Sequence, residues 1–258
     1  MEDNKKQFVT EVIELPSEGY FYPADNPLSS GKIELFMPTA KHEDILTSRN
    51  LIKKGVVIDQ FLKSLVANEK VNFDDILVGD KNGLLIASRI LLYGAQYKTK
   101  ITCRSCEEQF THDINLADLE MREIDFSKFT KGQNEFSFQL PHSKVNISFK
   151  LLTHADEVMI NNQLRKIKNY ETGGVNPELT TRLTYFITEI DGETSKAKIQ
   201  SFVQNRLTSR DSLEFRQYLA DITPGMETDI NVECSLCGHE QTIGLPMDVN
   251  FFWPSGRL

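Results

Sequence analysis

The four cysteines of the chain form two matched pairs with the spacing of metal ligands. Cys103 and Cys106 make the first pair, Cys234 and Cys237 make the second, and no fifth cysteine is left over. A gap of two residues lets both thiolates of a pair turn toward one ion, and four thiolates complete a tetrahedral zinc shell. Iron–sulfur clusters usually need another spacing. The sequence therefore predicts one structural zinc ion per chain, with no open position for water or substrate.

A redox role is the enzymatic alternative for these cysteines. A dithiol oxidoreductase places its CxxC pair at the start of a helix and predicts thiols that react readily without chelation. Here both pairs lie between strand-like runs and come as two similar copies. Disulfides require an oxidising compartment, whereas the polar segment Met1–Lys6 lacks the features of a secretory signal and predicts an intracellular protein.

Strand-like segments surround each cysteine pair and predict two hairpins. Residues 99–102 and 229–233 precede the pairs, and residues 110–116 and 240–245 follow them. Two hairpin tips that face each other across one metal ion form a zinc ribbon. We expect a split ribbon made of residues 99–118 and 228–247, in which the metal joins distant parts of the chain.

Nucleic-acid binding is the second alternative, because zinc ribbons often serve it. The knuckles, however, are acidic. They carry Glu107, Glu108, Glu233 and Glu240 against Lys98, Lys100 and Arg104. The whole chain has 29 basic and 37 acidic residues, a net charge of −8, which disfavours binding to a phosphate backbone. We interpret His239 as a loop residue, at most a hydrogen-bond partner of a ligand sulfur.

Composition places the chain among globular proteins without a membrane span. It has 258 residues, of which 40% are apolar and 26% charged, and its mean hydropathy is −0.35. The most apolar window, residues 84–95, is interrupted by Ser88 and Arg89 and is too short to cross a bilayer. The other histidines and the serines match no catalytic motif, and the Gly79–Gly83 turn lacks the order of a phosphate loop. We expect no catalytic residues and no small-molecule substrate.

The N-terminal region, residues 1–98, is predicted to mix strands and helices. Strand-like runs at residues 8–13 and 32–37, of which the second alternates, indicate two strands. Thr39 caps a helix that is expected to reach about Asn50. Val56, Val57, Phe61 and Leu65 recur at helical spacing in a second helix. Asp80 opens a third helix, the expected central core helix, on which only Lys81, Ser88 and Arg89 are predicted to face water.

The middle region, residues 119–227, is predicted to be an insertion made of one hairpin and helices. Residues 136–140 and 145–149 alternate around a short polar turn, which is typical of a β-hairpin. Residues 171–175 are predicted to form a flexible connection. Four helices are expected at residues 155–170, 177–190, 196–206 and 212–222, and Asn176 with Pro177 marks the start of the second.

Two aromatic groups are candidates for contacts with a partner protein. Tyr20, Phe21 and Tyr22 lie in a turn-rich loop, where burial in the core is favoured over exposure. Trp253 belongs to an aromatic C-terminal tail, residues 248–258, which either anchors a partner or packs back on the ribbon. We name Tyr20, Phe21, Tyr22 and Trp253 as candidate partner-binding residues.

A set of short segments before the first cysteine pair is characteristic. They are Glu14–Ser17, Gly19–Pro23, Pro27–Gly31, Glu43–Leu46, Leu77–Asn82, Arg89–Ile90 and Tyr93–Gly94. With these segments the chain resembles a known family, the baseplate proteins of T-even-type contractile-tailed bacteriophages. The resemblance covers about the first 110 residues and then mainly the second cysteine knuckle.

This resemblance implies a role in assembling the central hub of the tail baseplate, through contacts with other hub proteins. It implies work in the host cell cytoplasm during assembly and leaves open whether the protein stays in the virion tail baseplate. The expected fold class is α+β, with a mixed N-terminal region, a split zinc ribbon and a hairpin-plus-helical insertion. A scaffolding protein of this kind needs partner surfaces and a stable frame rather than a catalytic site.

Overall fold

The computed structural model describes residues 9–168, 176–247 and 249–253. The predicted flexible connection at residues 171–175 and the N-terminal residues 1–6 lie outside this part of the chain. Within it, every helix is too short or too polar to span a bilayer.

The chain folds into short helices and small antiparallel sheets, which confirms the α+β class. The strands pair as β1–β2, β3–β4, β5–β6–β7 and β8–β9. The strands are β1 Thr10–Glu14, β2 Lys32–Phe36, β3 Gln96–Thr102, β4 Gln109–Asn115, β5 Phe136–Gln139, β6 Asn146–Phe149, β7 Ile187–Ile190, β8 Asp229–Glu233 and β9 Glu240–Gly244. The helices are α1 Ala40–Leu46, α2 Arg49–Lys54, α3 Val57–Leu65, α4 Val78–Tyr93, α5 His154–Lys168, α6 Glu178–Phe186, α7 Lys196–Asn205, α8 Ser209–Ile222 and α9 Val249–Phe252.

One hydrophobic core joins the N-terminal region to the insertion. Phe21 from the N-terminal loop meets Phe136 of β5 edge to face at 5.3 Å between ring centroids, and Phe149 of β6 meets Phe215 of α8 in the same way at 5.0 Å. All four side chains belong to the same buried cluster. The N-terminal region and the insertion therefore share one buried core. The boundary that the sequence predicts at residue 119 stays a prediction.

Two predicted helices differ from the observed elements. The helix expected from Thr39 to Asn50 is divided into α1 and α2 at Thr47, whose hydroxyl donates to the carbonyl of Glu43 at 3.0 Å and competes with the backbone ladder. The helix expected to reach Ile190 ends at Phe186, and the β-branched run that follows forms β7 against β6. In residues 187–190, hydrogen bonding to strand β6 therefore determines the conformation, although the apolar residues recur at helical spacing.

The prediction that Lys81, Ser88 and Arg89 of α4 face water is wrong. Their exposed fractions are 7%, 0% and 3%. Ser88 donates to its own helix at the carbonyl of Leu85, and the Arg89 guanidinium donates to the carbonyl of Gly94 at 3.0 Å. Helix α4 is enclosed on more faces than a one-sided amphipathic pattern predicts. Most of its buried polar groups find a partner within the fold, and the Nε atom of Arg89 is the exception found among the described residues.

Asp80, at the start of α4, fixes the N-terminal loop to the core. Its carboxylate is fully buried and accepts three hydrogen bonds, from the backbone N–H of Ser17 at 2.8 Å, the Ser17 hydroxyl at 2.7 Å and the Tyr22 hydroxyl at 2.6 Å. Tyr22 in turn accepts from the N–H of Leu77 at 2.9 Å. Burial raises the pKa of Asp80, and these donors oppose that rise. The residues of the N-terminal sequence motif thus form one buried hydrogen-bond network.

A second buried cluster, centred on Lys81, joins three helices. The Lys81 ammonium lies 2.8 Å from Asp59 of α3 and 2.7 Å from Glu157 of α5, and it donates to Nδ1 of His154 at 3.2 Å. The His154 ring also packs edge to face on Phe73. Burial and then the Lys81 charge lower the pKa of His154, against the opposing carboxylates of Asp59, Asp74 and Glu157.

This cluster predicts a loss of stability in mild acid. Because the pKa of His154 is lowered by folding, the unfolded chain takes up its proton first as the pH falls through about 6.5. We expect the free energy of unfolding, measured in urea, to be lower at pH 5.5 than at pH 7.5. The pH dependence should be flatter in His154→Gln, and an equally steep profile in that variant would contradict the assignment.

Candidate metal centre

The two cysteine pairs sit at the tips of two hairpins with the same backbone plan. Hairpin β3–β4 carries the first pair and hairpin β8–β9 the second. The N–H of Cys103 donates to the carbonyl of Glu108 and that of Cys234 to the carbonyl of His239, both at 2.9 Å. Both CxxC pairs therefore link antiparallel strands, as predicted, and neither begins a helix.

The four sulfur atoms converge on one point. All lie within 4.8 Å of one another. The Sγ atoms of Cys103 and Cys237 are 3.7 Å apart, and those of Cys106 and Cys234 are 3.9 Å apart. A tetrahedral shell with metal–sulfur bonds of about 2.3 Å requires sulfur–sulfur distances of about 3.8 Å, whereas a disulfide requires about 2.05 Å. The group could hold a metal ion, and its geometry is compatible with zinc.

Without a bound cation, the thiols of the site differ in pKa. The backbone N–H of Cys106 is the main cause that lowers the pKa of Cys103 to about 6, with a further bond from the N–H of Ser105. The N–H of His239 lowers the pKa of Cys237, but desolvation and the three neighbouring thiols outweigh it and raise that pKa to about 12. Thiolates this close repel one another, so a bound cation is what allows all of them to ionise.

A small second core holds the hairpins together beneath the sulfur atoms. Its buried members come from both hairpins: Ile101, Cys103, Phe110, Val232 and Cys234. The burial of Cys103 and Cys234 in this core, at 1% and 2% exposure, contrasts with the exposed Cys237. One thiol of each pair therefore belongs to the packing of the ribbon, and the outer thiols close the site from the solvent side.

Gln241 is a site residue that we did not predict from the sequence. It is 7% exposed, its amide oxygen accepts from the N–H of Arg104 at 2.8 Å, and its amide nitrogen donates to the carbonyl of Thr102 at 3.2 Å. Strand β9 thus caps the knuckle of the opposite hairpin. The alternation of inward and outward side chains in β9 could have predicted this role, because it places Gln241 on the same face as Ile243. A side-chain amide on the inward face needs hydrogen-bond partners.

The residue after each cysteine pair adopts the left-handed conformation. Gly238 has φ +72°, whereas the equivalent position of the first knuckle holds Glu107 at φ +62°. We expect Glu107→Gly to stabilise the protein by about 0.5 kcal/mol and Gly238→Ala to destabilise it by about 1 kcal/mol, because only glycine adopts this conformation without cost. Urea unfolding of the two variants checks both signs, and equal shifts of one sign would contradict this account.

Comparison with known protein families identifies the chain. The profile of the family described as T4 bacteriophage base plate protein matches residues 20–253. The chain belongs to this family. The match spans both cysteine knuckles and the helical insertion, so it extends well beyond the segments that carried the resemblance in the sequence. No curated protein and no solved structure matches the chain.

Membership in this family supports a structural role in a phage tail baseplate. The aromatic residues of the N-terminal loop are predicted candidates for contact with a partner protein. Phe21 and Tyr22, with exposed fractions of 1% and 3%, are buried within the chain and contribute to its core, and their role in binding a partner stays a prediction. Burial of this loop was the favoured expectation. Tyr20 is partly buried, stacks on Phe126 at 4.9 Å and donates to the carbonyl of Phe129.

Residues 251–253 of the aromatic tail pack back on the N-terminal core. Phe251 meets Tyr97 of β3 at 5.1 Å between ring centroids, and Phe252 meets Phe61 of α3 at 5.8 Å. Trp253 is partly buried and donates from Nε1 to the carbonyl of Leu46 at 3.2 Å. The tail thus contacts the base of the ribbon and two helices, and Tyr20 and Trp253 stay the partly exposed candidates for partner contact.

Proposed function

We propose that this protein is a non-enzymatic structural or assembly factor of the bacteriophage tail baseplate hub, which acts through contacts with other hub proteins and is held in shape by a structural zinc ion. Membership in the baseplate family supports the structural role. The single observation that carries the proposal further is the closed group of four cysteine sulfurs, since it is suited to fixing a shape rather than to performing chemistry.

Zinc is the metal whose preferences match the donor set. Four thiolates in a tetrahedral arrangement suit zinc, and Cys103, Cys106, Cys234 and Cys237 would hold it. The ion supplies a cross-link when bound. Cys103 and Cys237 are 134 residues apart in sequence, so the ion fixes the ends of the insertion relative to each other.

The buried polar side chains outside the ribbon serve the fold. Asp80 holds the N-terminal loop, and Lys81 joins three helices. Asp211 of α8 accepts from the backbone N–H groups of His142 at 2.8 Å and Ser143 at 3.1 Å, which fixes the β5–β6 turn on the helix. Groups whose hydrogen bonds are satisfied by structural partners support a scaffold rather than an enzyme.

The two rival functions predict other features at the cysteines. An oxidoreductase needs one reactive, accessible thiol at a helix start, whereas Cys103, the thiol of lowered pKa, is 1% exposed between two strands. A nucleic-acid-binding ribbon needs basic flanks, whereas Glu107, Glu108 and Glu240 are exposed around the knuckles. Both observations favour the structural proposal.

Deletion of the gene in the phage that encodes the protein tests the proposed function. We expect infected cells to accumulate incomplete tails, with the defect placed at the baseplate hub by electron microscopy. Expression of the wild-type protein from a plasmid should restore complete tails. Normal tail assembly without the protein would overturn the proposal.

The location of the protein is tested by mass spectrometry of purified virions and of the infected-cell lysate. We propose that it works in the host cytoplasm while the baseplate assembles. A factor that only assists assembly is present in the lysate and absent from virions, whereas a structural subunit is retained in both. Absence from both the infected-cell lysate and the virions would contradict a role in assembling the tail.

A further inference from the structure

Positive charge is concentrated on one surface of this acidic chain. Helices α2 and α5 meet where Arg165 donates from its guanidinium to the carbonyl of Lys54 at 3.0 Å, at the C-terminal end of α2. Four exposed cations gather around this junction, and we call them the basic surface: Lys53, Lys54, Arg165 and Lys166. In the described part of the chain, the ion pairs found involve other cations, so these charges are not neutralised within the fold.

Negative charge is concentrated at the tip of the ribbon. The acidic tip consists of four exposed carboxylates: Glu107, Glu108, Glu233 and Glu240. Glu233 and Glu240 are direct cross-strand neighbours in the β8–β9 register, an arrangement of like charges that destabilises a hairpin unless a cation lies nearby. No ion pair among the described residues supplies that cation.

An exposed apolar side chain accompanies the acidic tip. Leu236 lies between the two cysteines of the second knuckle with an exposed fraction of 62%, among the highest of the large apolar side chains described. The knuckle that carries it is fixed by backbone hydrogen bonds and by the convergence of the thiols, so little conformational freedom would be lost on docking. The tip therefore carries a net negative charge, four carboxylates against the exposed Arg104, together with a preorganised apolar contact.

We propose that the acidic tip of one copy of this protein docks on the basic surface of a second copy. The four carboxylates equal the four cations in number and are opposite to them in charge. The partly exposed Leu51 and Ile52 of α2, beside the basic surface, offer apolar area to Leu236. The contact joins two different surfaces, so it is head-to-tail, and repetition builds a ring or a filament. This self-association goes beyond the proposed function and does not depend on it.

The observations favour a second copy over nucleic acid as the occupant of the basic surface. The ribbon tip of a second copy is a discrete acidic partner that also brings the exposed Leu236 to Leu51 and Ile52, whereas a phosphate backbone offers negative charge alone. The two occupants are separated by the experiment that follows.

Charge reversal on each surface tests the contact by sedimentation velocity of the purified, metal-loaded full chain. We expect wild type to associate at 50 mM salt and its association constant to fall by at least about tenfold at 500 mM salt. The variant Lys53→Glu/Lys54→Glu and the variant Glu107→Lys/Glu108→Lys should each be monomeric alone. An equimolar mixture of the two should associate again, because each then offers the complementary surface.

The control variant Lys131→Glu/Lys196→Glu makes the same change in net charge as Lys53→Glu/Lys54→Glu, at exposed positions elsewhere, and should associate like wild type. Thermal unfolding of every variant, and restoration in the mixture, separate a lost contact from a lost fold. A monomeric wild type at 50 mM salt, or association that neither reversal changes, would overturn the proposal. Retention of wild type on immobilised double-stranded DNA at 50 mM salt, lost in Lys53→Glu/Lys54→Glu, would assign the basic surface to nucleic acid instead.

Discussion

Cys103→Ser should release the metal ion and unfold the ribbon while the main core persists. Cys103 lies in the second core between the hairpins, and its loss removes both a ligand and a packed sulfur. Because structural zinc binding is coupled to folding, we expect amide hydrogen exchange in β3, β4, β8 and β9 to accelerate at least about a thousandfold. Exchange in α4 and α8, which belong to the main core, should change far less.

A matched control distinguishes the metal from general damage to the knuckle. Ser235 lies between the ligands of the second pair and is exposed, so Ser235→Ala should leave metal content and exchange rates unchanged. Chelation of the wild-type protein should reproduce the Cys103→Ser exchange pattern. Slow exchange in the ribbon strands after complete removal of the metal would show that the hairpins hold together without it.

Asp80→Ala should be among the most destabilising single substitutions in the main core. The change leaves three buried donors without an acceptor, namely the Ser17 N–H, the Ser17 hydroxyl and the Tyr22 hydroxyl. Each unsatisfied buried donor costs about 1–3 kcal/mol, so we expect a loss of about 4 kcal/mol in the free energy of unfolding in urea. Tyr22→Phe should cost about 1.5 kcal/mol, because the network keeps its other members.

The control for this network is an exposed carboxylate from the same part of the chain. Asp74→Ala, in the turn before α4, should change the free energy of unfolding by less than about 0.5 kcal/mol. The network also predicts strong coupling between Asp80 and Tyr22, since the double variant should lose less than the sum of the single losses. Additive losses would show that the two side chains act independently.

The ribbon could be predicted because its signals are local in sequence. Each cysteine pair carries its ligand spacing, and its flanking strands are neighbours in the chain, so both hairpins follow from short segments. The convergence of Cys103 with Cys237 across 134 residues was also accessible, because metal chemistry requires four ligands and the chain has four cysteines. Gln241 was missed because its partners lie on the other hairpin.

The burial of Asp80 and Lys81 in α4 could not be predicted, because their partners are distant in sequence. Asp80 is satisfied by Ser17 and Tyr22, and Lys81 by Asp59 and Glu157, all of them far from α4 in the chain. A pattern of apolar positions assigns such residues to solvent by default. Strand β7 was missed for a related reason, since its partner β6 lies about 40 residues earlier and helical periodicity dominates the local sequence.

The most direct test of a metal-fixed baseplate protein is the metal content of the purified chain, measured together with thiol titration before and after chelation. The account predicts one zinc ion per chain and four thiols that react only after the metal is removed. A metal-free protein with freely reactive thiols would contradict it. That result would leave membership in the baseplate family in place and remove the metal from the explanation of its fold.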